Sequence, residues 1–129
     1  MTLVDSDILS EHLRGAPEAQ DWLLRARSMT RGLAVSAASI VEVAGGMRSG
    51  ERSEVRRLLS SFEILHVSER IAWRAGELRR SYRRSHTGIS LGDYLIASTA
   101  AVEGLDLATL NVRHFPMFPQ LVPAFVLGR

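Results

Sequence analysis

The sequence of 129 residues contains no cysteine, and its 16 basic residues are all arginine, so lysine is absent as well. The absence of cysteine excludes disulfides, thiol nucleophiles, cysteine-ligated zinc and iron–sulfur clusters. The absence of lysine excludes a Walker-type phosphate-binding lysine and a Schiff-base mechanism. Any chemistry must therefore come from carboxylates, histidines, hydroxyl groups and arginines.

The sequence also lacks long apolar runs: no stretch approaches the roughly 18 apolar residues that a membrane span needs. Residues 1–5 have neither the basic nor the apolar region of a signal peptide. The chain has 46% hydrophobic and 23% charged residues, which is typical of a globular protein. We therefore expect one cytoplasmic domain over residues 1–129, with no membrane contact and, at a net charge of +2, only local basic patches.

Short apolar runs alternate with segments of helical periodicity along the chain. The runs predict strands at residues 2–5, 33–36, 64–67 and 107–109, with residues 124–127 as a fifth strand at an edge. Between them, helical patterns end near Gly15, Arg31, Met47, Phe62, His86 and Gly104. This alternation predicts an α/β fold, in which helices cover both faces of a parallel sheet of four to five strands.

Acidic and amide side chains lie at the ends of these strands or in the helices that follow them. Since ligands bind at the carboxyl ends of strands in such a sheet, we expect these residues to meet at one edge; they are Asp5, Asp7, Glu42, Asp93, Asn111 and His114.

Carboxylates brought so close repel each other by roughly 4 kcal/mol per pair at 4 Å, which favours a cation between them. Oxygen ligands without cysteine favour Mg²⁺ or Mn²⁺, and such an ion can activate water and neutralise charge on a phosphate. A purely structural interpretation stays open for each acid: Asp5 and Asp7 as helix caps, Asp93 in a capping box with Ser90, and Glu42 on an exposed face.

Four segments carry a further signal. They are LVDSDIL (3–9), SAASIVEVAGG (36–46), GDYLIASTA (92–100) and LATLNVRHF (107–115). In this order and over nearly the whole chain, they resemble a PIN-domain ribonuclease, and most closely the VapC toxins of bacterial toxin–antitoxin pairs.

The resemblance implies an α/β/α sandwich and a Mg²⁺- or Mn²⁺-dependent endoribonuclease. Asp5 and Asp93 match the family's metal-binding aspartates, and Glu42 matches the acid of its second block. Asp7 stands where the family usually has a supporting serine, threonine or asparagine. The resemblance also implies a homodimer bound by a cognate VapB-type antitoxin.

The last block departs from the family, which often has a fourth acid where this sequence offers Asn111 and His114. We therefore expect one metal rather than two. In the resulting hypothesis, Asp5 and Asp93 hold the ion and Glu42 completes its shell or orients the attacking water. Asn111 positions water or phosphate, as Ser90 also could.

A basic segment precedes the third block. The predicted helix from Ser68 to His86 carries arginines at i, i+4 spacing, which would form basic rows beside its apolar stripe. The rows lead towards the Ser90–Asp93 turn, so they could guide a phosphate backbone to the acids, although an ordinary solvated face explains them as well. The candidate RNA-binding residues are Arg79, Arg80, Arg83 and Arg84.

Two other functions remain open. The pair Asp5 and Asp7 after a first strand also resembles the paired aspartates of haloacid-dehalogenase-type phosphatases, but those enzymes normally use a lysine and a longer chain. The missing fourth acid favours instead a non-catalytic RNA- or protein-binding module with the same fold. Cleavage of RNA, or of a small phosphate ester, would discriminate between them.

Overall fold

The central feature of the computed structural model, which describes residues 1–29 and 32–128, is a sheet of four parallel strands. The strands are β1 (Thr2–Val4), β2 (Leu33–Ser36), β3 (Glu63–Leu65) and β4 (Asp106–Ala108), in the spatial order β3-β2-β1-β4. The first strand lies inside the sheet, where Leu3 pairs with Ala34 of β2 and with Leu107 of β4. Because all strands run in the same direction, their carboxyl ends lie at one edge.

Six α-helices connect and cover these strands within the described residues. They are α1 (Ser6–Leu13), α2 (Pro17–Met29), α3 (Ala37–Gly46), α4 (Arg52–Ser60), α5 (Glu69–Tyr82) and α6 (Leu91–Glu103). Short 3-10 turns occupy Ser49–Glu51 and Val112–His114. The predicted continuation of α2 to Arg31 lies outside the described residues. No described helix combines the length and the apolar character required to cross a membrane.

The side chains of alternating strand residues pack into two separate hydrophobic cores, one on each face of the sheet. Val4 and Val35 face one side of the sheet, where they pack with apolar residues of the first four helices, including Ile8, Leu23, Val43 and Leu58. Leu3 and Ala34 face the other side and pack with residues of α5 and α6, including Ala75, Leu78, Ile96 and Ala97. Because successive side chains of a strand point to opposite faces, this pattern buries both faces, and the predicted α/β/α arrangement is confirmed.

The predicted fifth strand at residues 124–127 is wrong. These residues form no strand; the backbone N–H of Ala124 donates one hydrogen bond to the carbonyl of Thr109 at 2.9 Å. Phe125 packs instead against the Trp22 ring of α2, with the ring centroids 6.2 Å apart. The segment is therefore held by side-chain packing rather than by a strand ladder, and Pro123 next to it has no N–H to donate.

Two helix ends also differ from the prediction. Helix α4 ends at Ser60, before the buried Phe62, and α5 ends at Tyr82 rather than at His86. Residues 83–88 are all polar or glycine, so continuing α5 would bury no further apolar side chain. Arg83 and Arg84, which would continue two of the predicted arginine rows, accordingly lie in a turn.

Candidate active site

Asp5 lies directly after β1, at the carboxyl edge of the sheet, and is only 4% exposed. Its Oδ1 accepts a hydrogen bond from the backbone N–H of Ser6 at 2.7 Å, which caps α1, and its Oδ2 accepts one from the Thr109 hydroxyl at 2.8 Å. Burial, and then the charge of the neighbouring Asp7, raise the pKa of Asp5 to about 7. A cation beside this carboxylate would relieve both effects.

Asp7 projects from the first turn of α1 towards the loop after β4. Its Oδ2 accepts a hydrogen bond from the backbone N–H of Leu110 at 2.9 Å and lies 3.1 Å from the Thr109 hydroxyl oxygen. Its Oδ1 is buried and has no hydrogen-bond partner among the described residues, and burial raises the pKa of the carboxyl group. Asp7 thus connects α1 to the Thr109–Leu110 loop.

Thr109 stands between the two acids, fully buried. A hydroxyl group has one hydrogen to donate, yet the Thr109 oxygen lies within hydrogen-bonding distance of both Asp5 and Asp7. The same oxygen accepts a hydrogen bond from the backbone N–H of Asn111 at 3.1 Å. The Thr109 hydroxyl can therefore donate its hydrogen to either carboxylate. Its oxygen also fixes the loop that carries Asn111.

Asp93 lies at the N-terminus of α6 and forms the predicted capping box with Ser90. The Ser90 hydroxyl accepts a hydrogen bond from the Asp93 N–H at 3.1 Å, and Asp93 Oδ2 accepts one from the Ser90 N–H at 3.0 Å. The second carboxylate oxygen, Oδ1, receives no hydrogen bond from the part of the chain that the structure describes. Capping the helix and offering an oxygen to a ligand are therefore compatible in this residue.

His114 and Asn111 join the site through Asp93. His114 Nδ1 lies 3.0 Å from Asp93 Oδ2, and the Asn111 side-chain nitrogen lies 3.0 Å from the same Nδ1. When Nδ1 carries its hydrogen it donates to Asp93, and the amide of Asn111 then fits best with its oxygen turned towards the ring. Asn111 and His114 thus form a hydrogen-bonding extension of Asp93.

Glu42 reaches the site from α3, which begins where the Ser36 hydroxyl accepts a hydrogen bond from the Ala38 N–H at 3.1 Å. Ser36 is therefore the N-cap of α3. Glu42 is exposed, and its Oε1 accepts a hydrogen bond from the Ser6 hydroxyl at 3.2 Å. Partial burial of the carboxylate raises its pKa, and the charges of Asp93 and Asp7 act in the same direction.

The structure therefore brings the predicted acids and their supporting side chains to one edge of the sheet. Sequence reasoning did not single out Ser6 and Thr109 as site residues. Thr109 could have been predicted from the sequence, because it directly follows β4. Asn111 was predicted because it follows the same strand. Ser6 lies between two candidate aspartates, but a serine at a helix start has an ordinary structural explanation.

The donor set suits a hard divalent cation. Among residues 1–29 and 32–128, no group of three or more His, Asp or Glu side chains is arranged so that it could hold a metal ion by itself. Mg²⁺, however, is usually bound by one or two carboxylates together with waters. The Asp93 Oδ1 without a partner and the charge crowding around Asp5 fit an ion held in that way.

The candidate RNA-binding arginines lie near this site. The Ser98 hydroxyl of α6 donates to the Ile71 carbonyl at the start of α5, and Arg70 lies beside Val102, so the start of α5 packs beside the second half of α6. The end of α5 therefore lies beside the start of α6, and Gly88 in the following loop lies close to the His114 ring. All four arginines are exposed, and none forms an ion pair with another described residue; they are Arg79, Arg80, Arg83 and Arg84.

A comparison with known families bears directly on this arrangement. The family model of the PIN domain matches residues 2–117. This chain belongs to the PIN-domain family. The resemblance seen in the four sequence segments is thereby confirmed.

Curated relatives place this PIN domain in the VapC class. It is 58% identical over 127 residues to "Ribonuclease VapC10" of Mycobacterium tuberculosis, covering 98% of this chain and 95% of that protein. It is 43% identical to "Ribonuclease VapC19" of the same organism, covering 97% and 100% of the two chains.

Solved structures agree with the fold of this PIN domain. A "Toxin-antitoxin complex from Klebsiella pneumoniae" superposes with a TM-score of 0.81 at 28% identity, covering 98% of this chain and all of the other. VapBC2 from Rickettsia felis, solved bound to a DNA fragment from its promoter, gives a TM-score of 0.78 at 25% identity, with 95% and 96% covered.

Proposed function

We propose that this PIN domain is the toxin of a toxin–antitoxin pair, an endoribonuclease that hydrolyses RNA phosphodiester bonds. The observation that carries the proposal is the convergence of Asp5, Glu42 and Asp93, from three separate segments, at the carboxyl edge of the sheet. The relatives named as VapC ribonucleases support it. In a chain with neither lysine nor cysteine, carboxylates that hold a metal ion are a simple way to cleave a phosphodiester.

Divalent-metal dependence is general among PIN-domain VapC ribonucleases, and we propose Mg²⁺ or Mn²⁺ as the cofactor here. Asp5 and Asp93 would hold the ion, which when bound neutralises phosphate charge and supports the activation of water. Glu42, on the exposed side, orients the attacking water or completes the shell. Asn111 positions a phosphate or a water.

The remaining residues of the site have supporting roles in this proposal. Ser90 fixes Asp93 through the capping box and can contact a phosphate, and His114 holds the same carboxylate oxygen, Oδ2, that accepts from the Ser90 N–H. Asp7 orders the loop after β4. The roles of His114 and Asp7 follow from hydrogen bonds described above, and that of Ser90 adds the proposed contact with a phosphate.

The proposal is tested by incubating the purified chain with cellular RNA in the presence of Mg²⁺, of Mn²⁺, or of a chelator. We expect defined cleavage products with either ion, loss of cleavage with the chelator, and recovery when the ion is returned. RNA binding without cleavage under all conditions would indicate a non-catalytic module instead. Hydrolysis of a small phosphate ester with RNA left intact would indicate a phosphatase.

For the partners we propose an RNA substrate, a VapB-type antitoxin and a second copy of the same chain. The antitoxin proposal is supported by the similar solved chains, two of which come from a toxin–antitoxin complex and from VapBC2. We propose that the protein acts in the cytoplasm, where its RNA substrates are found. Co-expression with a VapB-type antitoxin, followed by measurement of the mass of the complex, tests both protein partners.

The arginines at the end of α5 and in the following turn provide a further prediction. Changing Arg79, Arg80, Arg83 and Arg84 to glutamine is expected to weaken RNA binding about 10-fold or more at moderate salt. It should also flatten the dependence of log Kd on log salt by about 0.7 for each phosphate that the variant no longer neutralises. The measurement is a titration of labelled RNA at several salt concentrations.

Two arginines at the opposite end of α5 provide the control. Arg70 and Arg74 lie beside Ala101 and Val102, at the far end of α6 from Asp93. Their double change to glutamine should alter the salt slope less than the matched double change of Arg83 and Arg84. Equal slopes for the two double variants would contradict a guiding role for the basic segment beside the site.

A further inference from the structure

The carboxylate of Glu42 lies directly against the backbone of Gly92. A Cβ atom built on Gly92 would lie 3.1 Å from Glu42 Cδ and Oε1 and 3.2 Å from Oε2. These separations are shorter than ordinary van der Waals contact, so an alanine methyl group would claim space that the carboxylate now uses. The absence of a side chain at Gly92 therefore leaves the space in which the Glu42 carboxylate lies. We call this space, with the residues around it, the Glu42 seat.

The other side of that seat is Ser6, whose hydroxyl donates to Glu42 Oε1 at 3.2 Å. Helix α3, which carries Glu42, also packs against α6, which begins with Leu91 and Gly92. The carboxylate thus rests between a hydroxyl donor on α1 and the bare Cα of α6, one residue before Asp93. Because Glu42 is otherwise exposed, it can move outward with little loss of packing.

We propose that Gly92 is a positioning residue, whose lack of a side chain fixes the Glu42 carboxylate beside Asp93. The inference rests on the proposed function, in which Glu42 orients the attacking water or completes the ion shell. A methyl group at position 92 pushes the carboxylate outward by a few tenths of an ångström, and positioning errors of that order reduce turnover.

The variant Gly92→Ala should therefore fold well and cleave poorly. Gly92 is helical, and its φ is not positive, as only Gly15 and Gly104 have positive φ among the described residues. Alanine is consequently unstrained and favours the helix, so we expect Tm to rise by about 1–3 °C. We expect kcat to fall about 10-fold or more, with KM within about 3-fold of its original value.

Gly76→Ala is the matched control. Gly76 lies inside α5, and a Cβ built there meets no atom within 4 Å. This variant should raise Tm by a similar or larger amount and leave kcat unchanged. A fall in kcat for both variants would show that helix stiffening, rather than the Glu42 seat, reduces activity, and would overturn the inference.

A spectroscopic measurement separates this inference from the proposed function. In protein labelled with ¹³C at glutamate Cδ, the Glu42 carboxyl resonance is assigned by its loss in Glu42→Gln. We expect this resonance to shift in Gly92→Ala and to stay in place in Gly76→Ala. An unmoved resonance with full activity overturns the role of Gly92 and leaves the proposed function standing. A shifted resonance with unchanged kcat overturns the proposed role of Glu42 in cleavage.

Discussion

Asp5→Asn is expected to reduce RNA cleavage by about 10³-fold or more and, at the same time, to make the metal-free protein more stable. The loss of cleavage follows because an amide brings no negative charge to a site proposed to hold a divalent ion. Asp93→Asn should lose cleavage to a similar extent for the same reason. The stability change is expected for Asp5 because burial and the charge of Asp7 raise the pKa of its carboxyl group.

The direction of the stability change follows from the pKa of Asp5. Its pKa in the folded protein is about 7, above the value of 3.8 for an unperturbed aspartate, so the folded state prefers the neutral form. The associated stability is fully present below pH 4 and is lost as pH rises through 7. Asparagine never ionises, so Asp5→Asn should be more stable than the original protein above pH 7, by about 1–3 kcal/mol.

The hydrogen bonds around Asp5 accommodate the amide. Its oxygen can accept from the Ser6 N–H, while its nitrogen donates to Thr109, whose own hydrogen is then available to Asp7. Urea unfolding in chelator at pH 5 and pH 8 measures the effect, and the gain should shrink at the lower pH. Asp106→Asn, at the exposed start of β4, should change neither stability nor cleavage. Full cleavage by Asp5→Asn, or equal gains at both pH values, would contradict the argument.

Thr109→Val is expected to destabilise the protein by about 2–3 kcal/mol at pH 8 and to reduce cleavage about 10²-fold. Valine has nearly the same shape as threonine but no hydroxyl group. The substitution removes the donor shared by Asp5 and Asp7 and the acceptor of the Asn111 N–H. Buried polar groups left without partners account for a cost of this size.

The effect of Thr109→Val should depend on pH, because a carboxylate needs donors more than a neutral carboxyl group does. The destabilisation is therefore expected to be smaller at pH 5 than at pH 8, as measured by urea unfolding. Thr99→Val is the matched control: Thr99 is also fully buried, but its hydroxyl donates to the Leu95 carbonyl of its own helix. A pH-independent loss, equal in the two variants, would show that packing alone is responsible.

The architecture was predictable from the sequence because its signals are local. Apolar runs such as residues 33–36, helix caps such as Ser68 and Ser90, and the glycine that ends α6 act over a few positions each. The predicted strand at residues 124–127 failed because strand pairing is not local. Its residues have the composition of a strand, but Trp22 and Thr109, which hold the segment, lie far away in the sequence.

The candidate site was predictable only in part, for a related reason. Asp5 and Asp93 could be chosen because the carboxyl-edge rule applies to each strand separately. The importance of Thr109 arises from a contact across 104 positions of sequence. Gly92 matters because it has no side chain. The sequence alone does not show which neighbouring residue occupies the space that a side chain would fill.

The position of β1 between β2 and β4 has a consequence for the newly made protein. Asp5 leaves the ribosome before Thr109, which follows β4, lies 104 positions later in the chain and donates to the Asp5 carboxylate. A chain interrupted before β4 contains Asp5, Glu42 and Asp93 and still lacks a finished site. The ribosome must therefore pass β4 and Thr109 before this nuclease can damage the RNA of the cell that makes it.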